Sequence, residues 1–280
     1  MRVHWLPILL SALALDLAIA APTARVVRVP VTVTDPLNRV VNGLDPGAIH
    51  IYEDKVEQKV SVKRDIVPLS VGIIFDTSGS MSGKLEPAQG ALSGFFRAIS
   101  NDPDNEAFLI EFNDRPAVVQ GFTHDLKSIE QQAAESRSKG KTALFDAIYL
   151  GLDEMKKAKN SRKVLIVITD GQNTSSRYSG AEVAHLEKES DVEVFAIVDI
   201  DFGSLRLLTE PTGGMTLEGN LPDAGSKIAI SLLNQYVVSY SPTNQAHDGK
   251  FRRISVRLNP GPGAPQMKAF WKSGYYAPTQ

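Results

Sequence analysis

Between positions 69 and 80 the chain reads Leu69-Ser70-Val71-Gly72-Ile73-Ile74-Phe75-Asp76-Thr77-Ser78-Gly79-Ser80. Residues 69–75 are apolar on both faces, as a central strand covered by helices must be, and the run stops at Asp76, where hydroxyls and a glycine take over. Helical spacing follows, with Leu85, Ala88, Leu92, Phe95, Phe96 and Ile99 at steps of three and four. Residues 108–112 and 117–122 read as strands, and a polar helix starts near Asp125. A further helix carries Leu144, Phe145, Ile148, Tyr149 and Leu152 on one face, and 164–168 and 192–198 are aliphatic runs. Strands alternating with helices imply parallel pairing. The expected fold is α/β, a doubly wound, mostly parallel sheet flanked by helices, over residues 67–234.

The texture differs on both sides of this block. Val27, Val29, Val31 and Val33 alternate with Arg28, Pro30, Thr32 and Thr34, the period of a half-buried strand. Asp35-Pro36-Leu37-Asn38 reads as a turn, and 49–53 and 56–62 as two more strands. After about residue 235, 236–240, 254–258 and 267–271 are short strand candidates separated by Ser241-Pro242 and Pro260-Gly261-Pro262-Gly263. Neither segment has enough strands to be stable alone. The expectation is that 21–66 and 235–280 pair into one small β-domain interrupted by the α/β block; the alternative is two separate arms.

Residues 1–20 read as a signal peptide. Arg2 gives a positive start, residues 6–15 are apolar, and Ala18-Ile19-Ala20 supplies small residues for cleavage. Asp16 interrupts the apolar run, which is shorter than the ~20 residues that span a bilayer. Cysteine is absent from the 280 residues, which excludes disulfides, thiolate metal sites and cysteine nucleophiles and suits a bacterial envelope or secreted location. The reading is therefore an exported protein, periplasmic or extracellular, without a transmembrane segment once the signal is removed. The formal net charge of -2 and the lack of a dense Lys/Arg cluster argue against nucleic acid as a partner.

In open α/β sheets ligands gather at the carboxyl ends of the strands, where Asp76, Ser78 and Ser80 fall. An Asp and two hydroxyls at alternate positions offer hard oxygen donors, which suit Mg²⁺, Mn²⁺ or Ca²⁺. Two further pieces follow: Gly140-Lys141-Thr142-Ala143-Leu144-Phe145-Asp146-Ala147 opens a helix, and the 164–168 strand runs into Thr169-Asp170-Gly171. Together these residues resemble the von Willebrand factor A family and its metal-ion-dependent adhesion site (MIDAS), built from a D-x-S-x-S loop, a later Thr and a later Asp. The resemblance implies that Asp76, Ser78, Ser80, Thr142 and Asp170 bind a divalent cation, Mg²⁺ first and Mn²⁺ or Ca²⁺ as substitutes. It implies a partner protein whose Asp or Glu completes the coordination shell. Val31-Thr32-Val33-Thr34-Asp35, Ile51-Tyr52-Glu53-Asp54, Phe251-Arg252-Arg253-Ile254 and Gly274-Tyr275-Tyr276 widen the likeness to exported bacterial VWFA-related proteins.

Catalytic readings fare worse. A nucleotide-binding P-loop ending in Gly140-Lys141-Thr142 needs Gly where Glu135 stands. An Mg²⁺-dependent phosphotransfer enzyme with Asp76 as nucleophile would gather more carboxylates, and Ser78 occupies the place of one. G-x-S-x-G is absent, and His4, His50, His124, His185 and His247 are scattered. The reading is a binding module and not an enzyme; its alternative is a structural envelope protein with a fold-stabilising metal. Phe95 and Phe96 read as core, Glu187-Lys188-Glu189 as a solvated helix face, Asp199 and Asp201 as a charged rim, and 173–180 as part of a recognition surface.

Overall fold

The computed structural model describes residues 25–64, 67–200, 203–219 and 221–279. The expected signal segment at 1–20 and Asp201 lie outside the described residues. Among the described residues no helix is long and apolar enough to cross a membrane.

In chain order the strands are β1 (Val27–Thr34), β2 (Ile49–Glu53), β3 (Val56–Glu57), β4 (Val60–Lys63), β5 (Leu69–Asp76), β6 (Glu106–Phe112), β7 (Pro116–Thr123), β8 (Arg162–Thr169), β9 (Val192–Val198), β10 (Thr216–Glu218), β11 (Tyr236–Tyr240), β12 (Phe251–Leu258), β13 (Lys268–Trp271) and β14 (Gly274–Tyr276). The helices are α1 (Leu85–Ile99), α2 (Leu126–Ala134), α3 (Leu144–Glu154), α4 (Gly180–Glu189), α5 (Ser204–Thr209) and α6 (Leu221–Leu233).

The central sheet has the order β10-β9-β8-β5-β6-β7. All its pairings are parallel except the β6–β7 hairpin at one edge. Every residue of β5 is buried, because helices cover both sides. Val71, Ile73 and Phe75 pack with α1, α2 and α6, whereas Ile74 packs with Phe108 and with α3, α4 and α5. Phe95 and Phe96 are core, as their spacing implied. The chain leaves β5 toward β6 on one side and later returns to β8 on the other, so β5 marks the topological switch point where a crevice opens.

The flanking segments combine. One four-stranded sheet has the order β13-β1-β11-β4 and another β14-β12-β2-β3, so each draws strands from both ends of the chain. Val29, Val31, Ile49, Ile51, Val238 and Ile254 share one core between them. The buried carboxylate of Glu53 accepts hydrogen bonds from Tyr240 Oη (2.8 Å) and Tyr275 Oη (2.7 Å); burial first, and these bonds second, hold both phenols protonated well above their usual range. Residues 56–62, expected as one strand, are two, in different sheets: β3 pairs with β2 and β4 with β11. The chain crosses between sheets at Gln58, whose side-chain amide donates to Val56 O and Thr243 Oγ1.

The β-domain joins the α/β domain at the start of the parallel strands. Gln235 Nε2 donates to Thr32 Oγ1 on β1 (3.1 Å) and to Glu193 on β9 (2.6 Å). Arg162, the first residue of β8, donates to Leu232 O and to Gln235 Oε1, with Glu193 3.7 Å from its Nε. Lys272 Nζ donates to Ser190 O (2.7 Å) and Asp191 (2.6 Å). The carboxyl ends of the strands, at ~3.3 Å per residue, lie on the order of 20 Å away.

The same junction overturns the solvated reading of Glu187. Lys188 and Glu189 are exposed, but Glu187 is only 3% exposed. The segment around Lys272 and Gly274, together with Leu207 and Pro211, encloses it at a cavity of about 110 Å³. Neither carboxyl oxygen has a hydrogen-bond partner, and burial pushes its pKa from 4.5 up to about 9. In an isolated α/β domain that helix face would meet water; here the β-domain covers it.

Candidate metal centre

Strand β5 ends at Asp76 because the chain is pulled sideways there: Thr77 donates through both its backbone N (2.8 Å) and its Oγ1 (3.1 Å) to Phe112 O at the end of β6. Asp76 is fully buried. Its Oδ1 accepts from Ser78 N (2.8 Å), and its Oδ2 accepts from Thr169 Oγ1 (2.6 Å). One side chain thus closes its own loop and ties β5 to the end of β8. Burial pushes its carboxyl above the usual range; the bonds from Thr169 and Ser78 work against that, and the neighbouring Asp170 charge adds to it. Ser78 and Ser80 flank Gly79, with their Oγ atoms 3.1 Å apart, and buried Met81 seats the turn that follows.

A second segment docks on this loop through the backbone. Lys139 N donates to Thr77 O (2.9 Å), Gly79 N to Gly140 O (3.0 Å) and Ala143 N to Asn113 O (2.8 Å). Gly140 has φ +75°, and a Cβ there would lie 2.1 Å from Asp114 Oδ2, so only glycine fits. Thr142 follows at 3% exposure.

The helix opened by this segment, α3, has Ala143 at its N-cap and no side-chain cap of its own. The loop after β8 supplies one. Asn173 Oδ1 accepts from Leu144 N (3.2 Å) and Ser176 Oγ from Phe145 N (2.9 Å). Thr174 Oγ1 accepts from Thr142 N (3.0 Å), while Thr174 N and Ser175 N donate to Thr142 O. In return the Asp146 carboxylate accepts from the backbone N of Arg177 (2.8 Å) and Tyr178 (3.0 Å) and from Arg177 Nε (3.0 Å). Burial alone would raise the Asp146 pKa, but these donors hold it below the ordinary carboxylate range. The Thr142 segment and residues 173–178 are therefore one welded unit.

Asp170 leaves β8 at 3% exposure. Its Oδ1 accepts from Gln172 N at 3.3 Å, whereas its Oδ2 is buried without a hydrogen bond. The sequence reading missed the residue that comes nearest. Lys84 Nζ stands 3.5 Å from this Oδ2 without hydrogen-bond geometry, and 3.0 Å from Asp199 Oδ2. Asp199 fits its expected place on a charged rim; Lys84, which no motif singled out, is the cation inside that rim.

All five expected residues come to one end of one sheet. Asp76, Ser78 and Ser80 lie on one loop, Asp170 follows the threonine that bonds Asp76, and Thr142 arrives through the Gly79–Gly140 contact. Two carboxylates and three hydroxyls are hard oxygen donors, and a buried carboxylate oxygen that no protein hydrogen satisfies is unusual. The residues fit an oxygen-coordinated divalent cation.

An α/β domain of doubly wound topology, with oxygen donors gathered at its switch point, is the class that fold and donor set define. The family profile of the von Willebrand factor type A domain matches residues 71–172. No curated protein matches the chain. Among solved structures it is similar to the vWF domain of the type V pili tip protein Mfa5 from Porphyromonas gingivalis, at 13% identity over 59% of this chain and 95% of that one, with a TM-score of 0.51. The PilB minor pilin from Streptococcus sanguinis matches at 14% identity over 60% of this chain and 61% of that one, TM-score 0.50. Proximal thread matrix protein 1 from the mussel byssus, with a zinc occupied MIDAS motif, matches at 18% identity over 64% of this chain and 49% of that one, TM-score 0.51. At these identities the likeness is one of fold.

Proposed function

We propose that the chain is an exported, divalent-cation-dependent protein-binding module, not an enzyme, in which Asp76, Ser78, Ser80, Thr142 and Asp170 hold the cation and a partner's Asp or Glu completes its shell. The observation that carries this reading is the buried, hydrogen-bond-free oxygen of Asp170 at the end of the sheet where the hydroxyl donors gather. Mg²⁺, or Mn²⁺ or Ca²⁺ in its stead, would supply an electrophilic place for an incoming carboxylate. Asp76, both of whose oxygens already accept protein donors, orients the loop and balances charge. Ser78, Ser80 and Thr142 offer neutral oxygens, which leave the cation's charge partly uncompensated and favour an anionic partner.

Two features support binding over a purely fold-stabilising metal. The three loops are already tied by protein hydrogen bonds, from Thr169 to Asp76, Gly79 to Gly140 and Thr142 to Thr174. Arg115, Lys139, Lys141 and Arg177 are exposed on the segments that assemble the site, a rim that suits an acidic partner. The fold neighbours from a pilus tip, a minor pilin and byssus are in keeping with this reading, and the zinc occupied motif of the byssus protein with a metal. Capture of a partner from envelope extracts should require a divalent cation, disappear with chelator and fail with Asp76→Ala. Capture indifferent to chelator, or a large chelator-induced drop in melting temperature with no capture, would contradict the proposal.

A further inference from the structure

We propose that Lys84 is a built-in counter-ion for Asp170 that withdraws to Asp199 when a divalent cation binds, so that the chain sets its own cation affinity. The inference rests on the metal-centre reading above and adds to it a residue that no motif assigns.

The geometry is that of one ammonium shared unequally by two carboxylates from different strands. Lys84 Nζ forms an ion pair with each, at 3.0 Å from Asp199 Oδ2 and at 3.5 Å from Asp170 Oδ2. The Asp170 side chain is 1% exposed, that of Asp199 40% and that of Lys84 36%. The buried member of the trio thus has the longer contact, and the two accessible members already stand closer to each other. An ammonium and a divalent cation cannot both sit against one carboxylate oxygen, since they repel at close range. Releasing Asp170 requires little of Lys84. Its backbone is fixed by Lys84 N donating to Met81 O (2.9 Å), its four-carbon stem is flexible, and Asp199 is in reach at the outset.

Two consequences follow. Before a cation arrives, Lys84 balances a carboxylate that would otherwise be buried uncompensated, a costly arrangement. Cation uptake has to displace that ion pair, so Lys84 lowers affinity, while Asp199 raises it by offering Lys84 another partner. Removing Lys84 and removing Asp199 therefore act in opposite directions. Long-range charge effects alone would give the same two signs, and a double-mutant cycle separates the cases. Under the exchange, Asp199 matters only while Lys84 is present.

The test is Mn²⁺ titration calorimetry on the full chain as parent, Lys84→Met, Lys84→Arg, Asp199→Asn and the Lys84→Met/Asp199→Asn double variant, with Asp76→Ala as reference. Lys84→Met should bind Mn²⁺ roughly tenfold more tightly and Asp199→Asn several-fold more weakly, with Lys84→Arg within about twofold of parent. In the Lys84→Met background, Asp199→Asn should change affinity by less than about twofold. Lys84→Met titrating like the parent, or Asp199→Asn weakening binding equally in both backgrounds, would overturn the counter-ion assignment and leave the metal centre standing. A parent that takes up no more Mn²⁺ than Asp76→Ala would overturn both.

Discussion

The two ends of the central sheet treat buried carboxylates differently. At the amino end, Glu193 lies among Arg162, Gln235 and Lys272; burial pushes its pKa up, and these three neighbours pull it back. At the carboxyl end, Asp170 keeps one buried oxygen without a hydrogen bond, facing a single ammonium in a loose ion pair at 3.5 Å. The first arrangement closes a seam between two domains. The second leaves a buried carboxylate oxygen that, under the proposed function, a cation from solution would claim. Both are buried and both lie on the same parallel sheet, so burial alone does not mark a functional acid; what distinguishes them is whether the protein itself completes the partner set.

Substitutions at either end should leave the other untouched. The largest effect is expected for Asp170→Asn, which should weaken Mn²⁺ binding roughly a hundredfold, about 3 kcal/mol, while moving the urea midpoint little. Arg162→Met should do the reverse. It strands Glu193 in the seam and should cost about 3 kcal/mol of stability in urea unfolding, with Mn²⁺ affinity unchanged. Coupled losses in either variant would show that the two ends are one cooperative unit.

Glu187 sharpens the comparison, since it is a seam acid without partners. Its folded pKa of about 9 lies above the ordinary 4.5. Between those values the unfolded chain gives up a proton that the folded chain keeps, so this group makes stability fall as pH rises. Glu187→Gln cannot ionise. It should melt about 5 °C above the parent at pH 8, with the gap closing by pH 4; a gap independent of pH would mean that Glu187 is not held neutral. The smallest effect belongs to the trans cap: Ser176→Ala should cost about 1 kcal/mol in urea unfolding, because Phe145 N then lacks its acceptor.

Much of this organisation was legible in the sequence. The two-sided apolar run ending at Asp76 placed the central strand, and the strand count in the flanking segments foretold that they combine. The five oxygen-bearing residues stood out because each follows a strand or opens a helix, so local pattern and position agree. What escaped was set by segments far apart in the chain. Lys84 meets Asp170 and Asp199 only because β8 and β9 lie side by side. Glu187 looked like part of a charged helix face, and only the Lys272 segment, about eighty residues on, removes it from water. Ser176 capping α3 is invisible for the same reason, and the break at Gln58 reflects a crossing between two sheets that hydropathy does not record.

The most direct test of the central claim is a crystal of the protein soaked in Mn²⁺, with data collected at the manganese edge. The account predicts one anomalous peak at the carboxyl end of the sheet, among the side chains of Asp76, Ser78, Ser80, Thr142 and Asp170. A peak elsewhere, or none at a Mn²⁺ concentration that saturates binding in solution, would contradict it.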